Sequence, residues 1–226
     1  MANEDNSKYK FEFLGEKFTK DLTSYKVIII GRYGVGKTTI INKLMVKNID
    51  KEYAPTISID IKNFQVKVND EIMQINIWDC CGNDKYTENI PNFYRNSSIA
   101  ILVYAINDKE SYGDLEKWYN MLKEHSKDSM IFLIGNKNDL EEKEREVTIE
   151  DAETFKNKYE YDIKIFFETS ALYGNNMDKL LENIVISIYE KDQKEKNDVD
   201  NALKKTKTLV KEDFAKQGEK KKKGCC

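Results

Sequence analysis

The chain has 226 residues, 40% of them hydrophobic and 34% charged, with a formal net charge of −3. That length supports one sizeable core with tails to spare, and the charge balance offers no global basic field for nucleic acid, which is not expected as a partner. Four cysteines are too few for a disulfide framework, the single His125 cannot supply a His-rich metal site, and no apolar run reaches the ~18 residues of a membrane span.

Residues 1–24 are polar and charged, with scattered Phe11, Phe13, Leu14 and Phe18, and read as a flexible N-terminal extension. A strand is predicted over 25–30, ending in the apolar run Val27-Ile28-Ile29-Ile30. It feeds directly into Gly31-Arg32-Tyr33-Gly34-Val35-Gly36-Lys37-Thr38, which has the spacing GxxxxGK[ST]. A strand that ends in a glycine-rich turn and opens a helix (38–47) aims its backbone N–H groups, including those of Gly34, Val35 and Gly36, at one spot. That concavity lies at the positive end of a helix dipole and suits phosphate. Lys37 would reach the β- and γ-phosphates, and the Thr38 hydroxyl would bind Mg²⁺.

Tyr53-Ala54-Pro55-Thr56 is a loop before the alternating strand 57–68, and Thr56 could complete the Mg²⁺ shell and contact a γ-phosphate. Asn69-Asp70 is a tight turn that predicts an antiparallel hairpin with strand 71–78. Ile75-Asn76-Ile77-Trp78 alternates and then breaks at Asp79-Cys80-Cys81-Gly82. The Asp79 carboxylate is placed to hold Mg²⁺ through water, and the Gly82 N–H to sense the γ-phosphate, because glycine permits close approach.

A helix over 84–95 leads to strand 99–105, helix 111–126 and strand 130–135, after which comes Asn136-Lys137-Asn138-Asp139. A carboxylate at Asp139 can accept from both N1–H and N2–H₂ of guanine, a donor pair that adenine lacks. The Lys137 stem can lie along the purine, and Asn136 can tie this loop to the phosphate loop. Helix 150–158 and strand 163–169 follow, ending at Ser170-Ala171-Leu172, where a backbone N–H could meet guanine O6. The last predicted helix covers 175–190. Six strands alternating with helices predict an α/β architecture: a mostly parallel six-stranded sheet with one antiparallel strand, helices on both faces, and ligand at the strand carboxyl ends.

Beyond Glu190 the text is charged and nearly free of aromatics, and residues 191–226 read as a flexible tail, a transient helix or coil. It ends in Lys220-Lys221-Lys222-Lys223-Gly224-Cys225-Cys226. With no signal peptide at the start of the chain, the protein is expected to be made and kept in the cytosol.

The order of phosphate loop, Thr loop, WDxxG, NKxD and SA resembles a Ras-like small GTPase, a P-loop NTPase G domain, over about residues 25–190. Ile77-Trp78-Asp79, Phe93-Tyr94-Arg95, Leu102-Val103-Tyr104, Ile134 to Leu140 and the Cys-Cys end resemble the Rab subfamily. The resemblance implies a monomeric GDP/GTP switch on membranes, with Mg²⁺ and with nucleotide contacts that include Thr39 and Tyr53. It also implies effectors, an exchange factor, a GTPase-activating protein and a GDP-dissociation inhibitor as partners. Cys225 and Cys226 match doubly prenylated ends; two lipid chains, or one plus a polybasic patch, hold a membrane stably.

Departures from the pattern carry their own expectations. Asn83 stands where the family has a water-orienting Gln, so the catalytic set reads Asn83, Gly82 and Thr56. The Asn amide sits one methylene short, and small misplacements can cost about a hundredfold. Tyr33 occupies a phosphate-loop position where the family has small residues, and a phenol there crowds the γ-phosphate. Both changes predict slow intrinsic hydrolysis. Ile49 replaces an aromatic that supports the base, Leu172 replaces a Lys, and Ser58 and Ile61 replace Gly and Phe. Three classes follow: a trafficking switch, a GTP-binding scaffold with little hydrolysis, and a nucleotide kinase. The third lacks an Arg-rich lid and has no use for a lipid-type tail.

Overall fold

In the computed structural model, the described residues are 9–45, 60–80, 93–140 and 142–222, with side chains through 203. Two compact units divide the chain, Met1–Val185 and Ile186–Cys226. In the first, seven strands form one sheet: β1 Phe11–Gly15, β2 Ser24–Ile30, β3 Asp60–Val68, β4 Glu71–Asp79, β5 Ile99–Ala105, β6 Met130–Asn136 and β7 Ile163–Thr169. Their spatial order is β1-β3-β4-β2-β5-β6-β7. The helices are α1 Lys37–Leu44, α2 Lys109–Gly113, α3 Leu115–His125, α4 Ile149–Lys158 and α5 Met177–Lys222.

The five strands β4, β2, β5, β6 and β7 run parallel. Of these, β2, β5 and β6 read as nearly continuous apolar runs because both faces of a parallel sheet are covered. Every residue of β5 is buried. Ile28 and Ile30 of β2 share a core with Leu115, Trp118 and Leu122 of α3 and Ala152 and Phe155 of α4. Val27 and Ile29 alternate to the opposite face and are equally buried, as the period of two requires. Each such side chain contributes about 1.5–3 kcal/mol by leaving water.

Three expectations need correction. The sheet has seven strands, not six, while its one antiparallel member, β3, is as expected. The extra strand, β1, lies in the extension expected to be flexible, and pairs with β3 from Phe11↔Val68 to Gly15↔Gln65. Phe13 packs on Phe64 with ring centroids 5.3 Å apart, and Thr19 bridges the buried amides: its N–H donates to Gln74 Oε1 (2.7 Å) and its hydroxyl accepts from Gln65 Nε2 (2.9 Å). A five-residue strand carries too short an alternation to announce itself, and its partners lie some fifty residues onward. Second, the helix expected over 111–126 is two helices that meet at Asp114. Third, the last helix, expected over 175–190, runs as α5 from Met177 to Lys222, through the stretch read as a transient helix or coil. Its Lys, Glu, Gln and Ala residues are strong helix formers, and no Pro interrupts them. Asp192 pairs with Lys196 at 2.7 Å, the favourable i,i+4 order.

The hairpin at Asn69-Asp70 is as expected, with Val68 opposite Glu71 and Asn69 in the left-handed region at φ 51°. No helix among the described residues is long and apolar enough to cross a membrane.

Candidate functional site

Because β2 lies between β4 and β5, the chain leaves its carboxyl end at the point where strand order reverses, which opens a crevice at that edge. Asp79, Ile30, Asn136 and Thr169 close their strands on this one edge, since Ile29 aligns with Asp79 and Asn136 aligns with both Ala105 and Thr169. The motifs read along 140 residues of sequence converge there.

Gly31, at φ 146°, lies so close to β5 that a Cβ would sit 2.1 Å from the Val103 carbonyl oxygen, so only glycine fits. The loop then turns back over its own lysine. Lys37 is 8% exposed, and its ammonium donates to the carbonyls of Gly31 and Arg32, both at 2.9 Å. These carbonyls offset part of the desolvation of a buried cation and hold it in the mouth of the loop. Helix α1 opens from Gly36 in the left-handed region, with no side-chain cap and no acidic residue in its first turn. This is the electrostatic setting of an anion site.

Asn136, 2% exposed, joins three segments. Its Nδ2 donates to the Val35 carbonyl at 2.9 Å, and its Oδ1 accepts from Thr169 Oγ1 at 3.2 Å and from Ala171 N–H at 3.1 Å. A Cβ on Gly36 would meet this Nδ2 at 2.3 Å. The expected tie between base loop and phosphate loop is therefore present, and glycine at 36 is what admits it. Lys137 follows in the left-handed region at φ 70°, and Asn138 N–H donates to the Thr169 carbonyl at 3.0 Å. This turn leaves Asp139 half-buried at the crevice edge. Ser170 is fully buried and its hydroxyl accepts from Tyr173 N–H at 3.0 Å, while Leu172 is exposed.

Thr38 and Asp79 meet on the other side of the loop, where the hydroxyl donates to Asp79 Oδ2 at 2.5 Å. Asp79 is 2% exposed. A hydroxyl and a carboxylate are hard oxygen donors, the set that Mg²⁺ takes when phosphate and water supply the rest of its octahedron. Among the described residues no group of three His, Cys, Asp or Glu could form an all-protein metal site. The residues present thus fit an ion that shares its shell with a phosphorylated ligand.

A sequence model of the Ras family matches residues 26–190. The chain belongs to the Ras family. As a small GTPase it binds GTP and GDP, generally with Mg²⁺, and works as a switch between the two states. Within this small GTPase, the expected site residues Gly34 to Thr39, Asp79, Asn136, Lys137, Asp139 and Ser170 to Leu172 all lie at the sheet edge just described. Tyr53, Thr56, Gly82 and Asn83, together with Ile49, Ser58, Cys225 and Cys226, lie outside the described residues.

Two supports of the site were missed in the sequence. Arg145 holds Glu168 through two bonds, Nη1–Oε1 2.7 Å and Nη2–Oε2 2.9 Å, and the bond to Glu168 raises the arginine pKa beyond its already high value. This fork braces the strand end just before Thr169 and Ser170. Arg32, inside the phosphate loop, reaches Glu110 and Asp114. A charged residue in a glycine-rich loop was the available signal, but its partners 78 and 82 positions away were not.

Proposed function

We propose that this small GTPase is a Rab-type switch of membrane trafficking, held on the cytosolic face of membranes by lipid on Cys225 and Cys226, with slow intrinsic hydrolysis. The observation that carries the subfamily reading is the end of the chain: four lysines, a glycine and two cysteines behind a Ras-family domain. Each lysine near an anionic leaflet adds up to about 1 kcal/mol, and two prenyl chains supply the rest of a stable anchor. Support also comes from an apolar face on β3 and β4. Ile61 of β3 is exposed and stands opposite Trp78 of β4, whose ring lies 5.8 Å from that of Phe93. Such a face suits effectors of protein character, and exchange factor, activating protein and GDP-dissociation inhibitor complete the expected partners.

In this reading, Lys37 neutralises the β- and γ-phosphates, and Asp139 selects guanine by accepting from its N1 and N2 edge. Lys137 lies along the base, and Asn136 keeps base loop and phosphate loop in register. Thr38 and Thr56 hydroxyls would ligate Mg²⁺, with Asp79 acting through water; the ion neutralises charge on the transferring phosphoryl group when bound. Asn83 takes the place of the water-positioning amide, and Tyr33 is 47% exposed in the loop, where a phenol would crowd the γ-phosphate.

A second reading, a GTP-bound scaffold with little hydrolysis, is favoured by Tyr33 and Asn83 together. Single-turnover hydrolysis on the isolated protein decides between them. For the switch, Tyr33→Gly with Asn83→Gln raises the rate by about tenfold or more over the unmodified protein, because both residues act on one water and one phosphate. If the unmodified protein already turns over as fast as the double variant, both departures are without effect and the slow-hydrolysis reading is wrong.

A further inference from the structure

Arg32 follows the strained Gly31 and precedes the open turn at Gly34. Its backbone and side chain do different things. The carbonyl accepts from Lys37 Nζ at 2.9 Å. The guanidinium leaves the loop altogether: Nη1 donates to Asp114 Oδ2 at 2.8 Å, and Nη2 to Glu110 Oε2 at 2.5 Å. The segment that receives it is itself fixed. Asp108 caps α2 by accepting from Ser111 N–H at 3.0 Å. The fully buried Ser111 hydroxyl accepts from Ala105 N–H at the end of β5 (3.0 Å) and donates to the Asp108 carbonyl (2.7 Å). Asp114 makes no cap for α3 with its side chain, so that carboxylate is committed to Arg32 and not to its own helix.

The phosphate loop is therefore pinned to the β5 side at two adjacent residues, by close approach at Gly31 and by a charged fork at Arg32. We propose that Arg32, through Asp114 and Glu110, is a positioning residue: it sets the carbonyl that aims the Lys37 ammonium and thereby slows nucleotide release. This rests on the phosphates of GDP and GTP lying in this loop, as the family implies. The ion pair is too exposed to contribute much to folding, since pairs of this kind contribute about 0–1 kcal/mol. Its consequence lies in geometry, because a loop that shifts by a fraction of an ångström carries the lysine with it.

The test is release of a fluorescent GDP analogue from the full chain in Mg²⁺ and excess GDP. Arg32→Gln and Asp114→Asn each speed release by about three- to tenfold, and the double variant adds little, as expected of two ends of one interaction. Exchanging the charges, Arg32→Glu with Asp114→Arg, restores release to within about twofold of the unmodified protein; an effect of the arginine charge that does not depend on this partner predicts no such rescue. Should Arg32→Gln fail to fold, Asp114→Asn and Glu110→Gln carry the same prediction from the acidic side of the pair. Unchanged release in the single variants, or an exchanged pair as fast as they are, overturns the proposal. An unmodified protein that binds no GDP overturns the nucleotide reading itself.

Discussion

Asn136 shows how one side chain converts three loops into a site. Its amide has a donor and an acceptor on opposite corners, and the structure uses both: the donor on the phosphate loop, the acceptor on Thr169 and Ala171. Three residues on, half-buried Asp139 is the residue proposed to read the base. Asp139→Asn reverses one of the two complementary contacts, because an amide donor meets the carbonyl that xanthine carries where guanine donates. Competition binding is expected to show guanine preferred over adenine by about 10⁴ or more in the unmodified protein, the scale on which unpaired polar groups discriminate. The variant shifts that preference to xanthine. Equal competition by ATP and GTP would remove the guanine assignment.

At the scale of elements, ends and edges carry the specific information. Helix α4 begins with a complete capping box. Thr148 Oγ1 accepts from Asp151 N–H at 3.0 Å, and Asp151 Oδ2 accepts from Thr148 N–H at 2.9 Å. Thr148→Ala costs about 1 kcal/mol, measured by urea unfolding. Bonds from the Thr148 backbone and then its hydroxyl hold the Asp151 carboxyl below the usual aspartate range. The folded value lies under the unfolded one, so this contribution is present above the unfolded value and is lost as pH falls through the folded value. The stability difference between the protein and Asp151→Asn is thus expected at pH 6 and shrinks below about pH 4.

The other edge is β1. It covers the outer side of β3 and packs Phe13 against the fully buried Phe64. Deleting residues 1–15 uncovers Phe64 and breaks the ladder, with an expected loss of about 2–4 kcal/mol in unfolding free energy. Guanine nucleotide affinity stays within about twofold, since β1 lies at the far edge of the sheet from the crevice and additivity holds for separated sites. A deletion that leaves the unfolding midpoint unchanged would show that β1 contributes nothing to the fold.

For the whole molecule, the proposed anchor at the tail has its own test. Replacing Cys225 and Cys226 by Ser is expected to release the protein from membranes in cell fractionation while guanine binding persists, because the anchor and the nucleotide crevice share no residues. Replacing Lys220 to Lys223 by Ala weakens membrane binding and lowers its salt sensitivity, as screening acts only on the charged part. Unchanged fractionation of the double-Ser variant refutes anchoring through these residues.

What the sequence by itself determined is local or periodic. Apolar runs mark β2, β5 and β6, the spacing of Gly31, Gly36, Lys37 and Thr38 marks a phosphate loop, and the order of motifs implies a sheet edge before any coordinates. Even there the motif residues were legible only as types: glycine, lysine and aspartate at the right separations. Tertiary structure decided the rest. That Gly36 must lack a side chain because Asn136 occupies the space, that Phe11 to Gly15 becomes an edge strand, and that Arg32 turns out of its loop to Asp114 are outcomes of contacts between residues some fifty to a hundred positions apart. A short strand or a single arginine has no pattern of its own along the chain. Its conformation is set by which partner the fold brings within hydrogen-bond range.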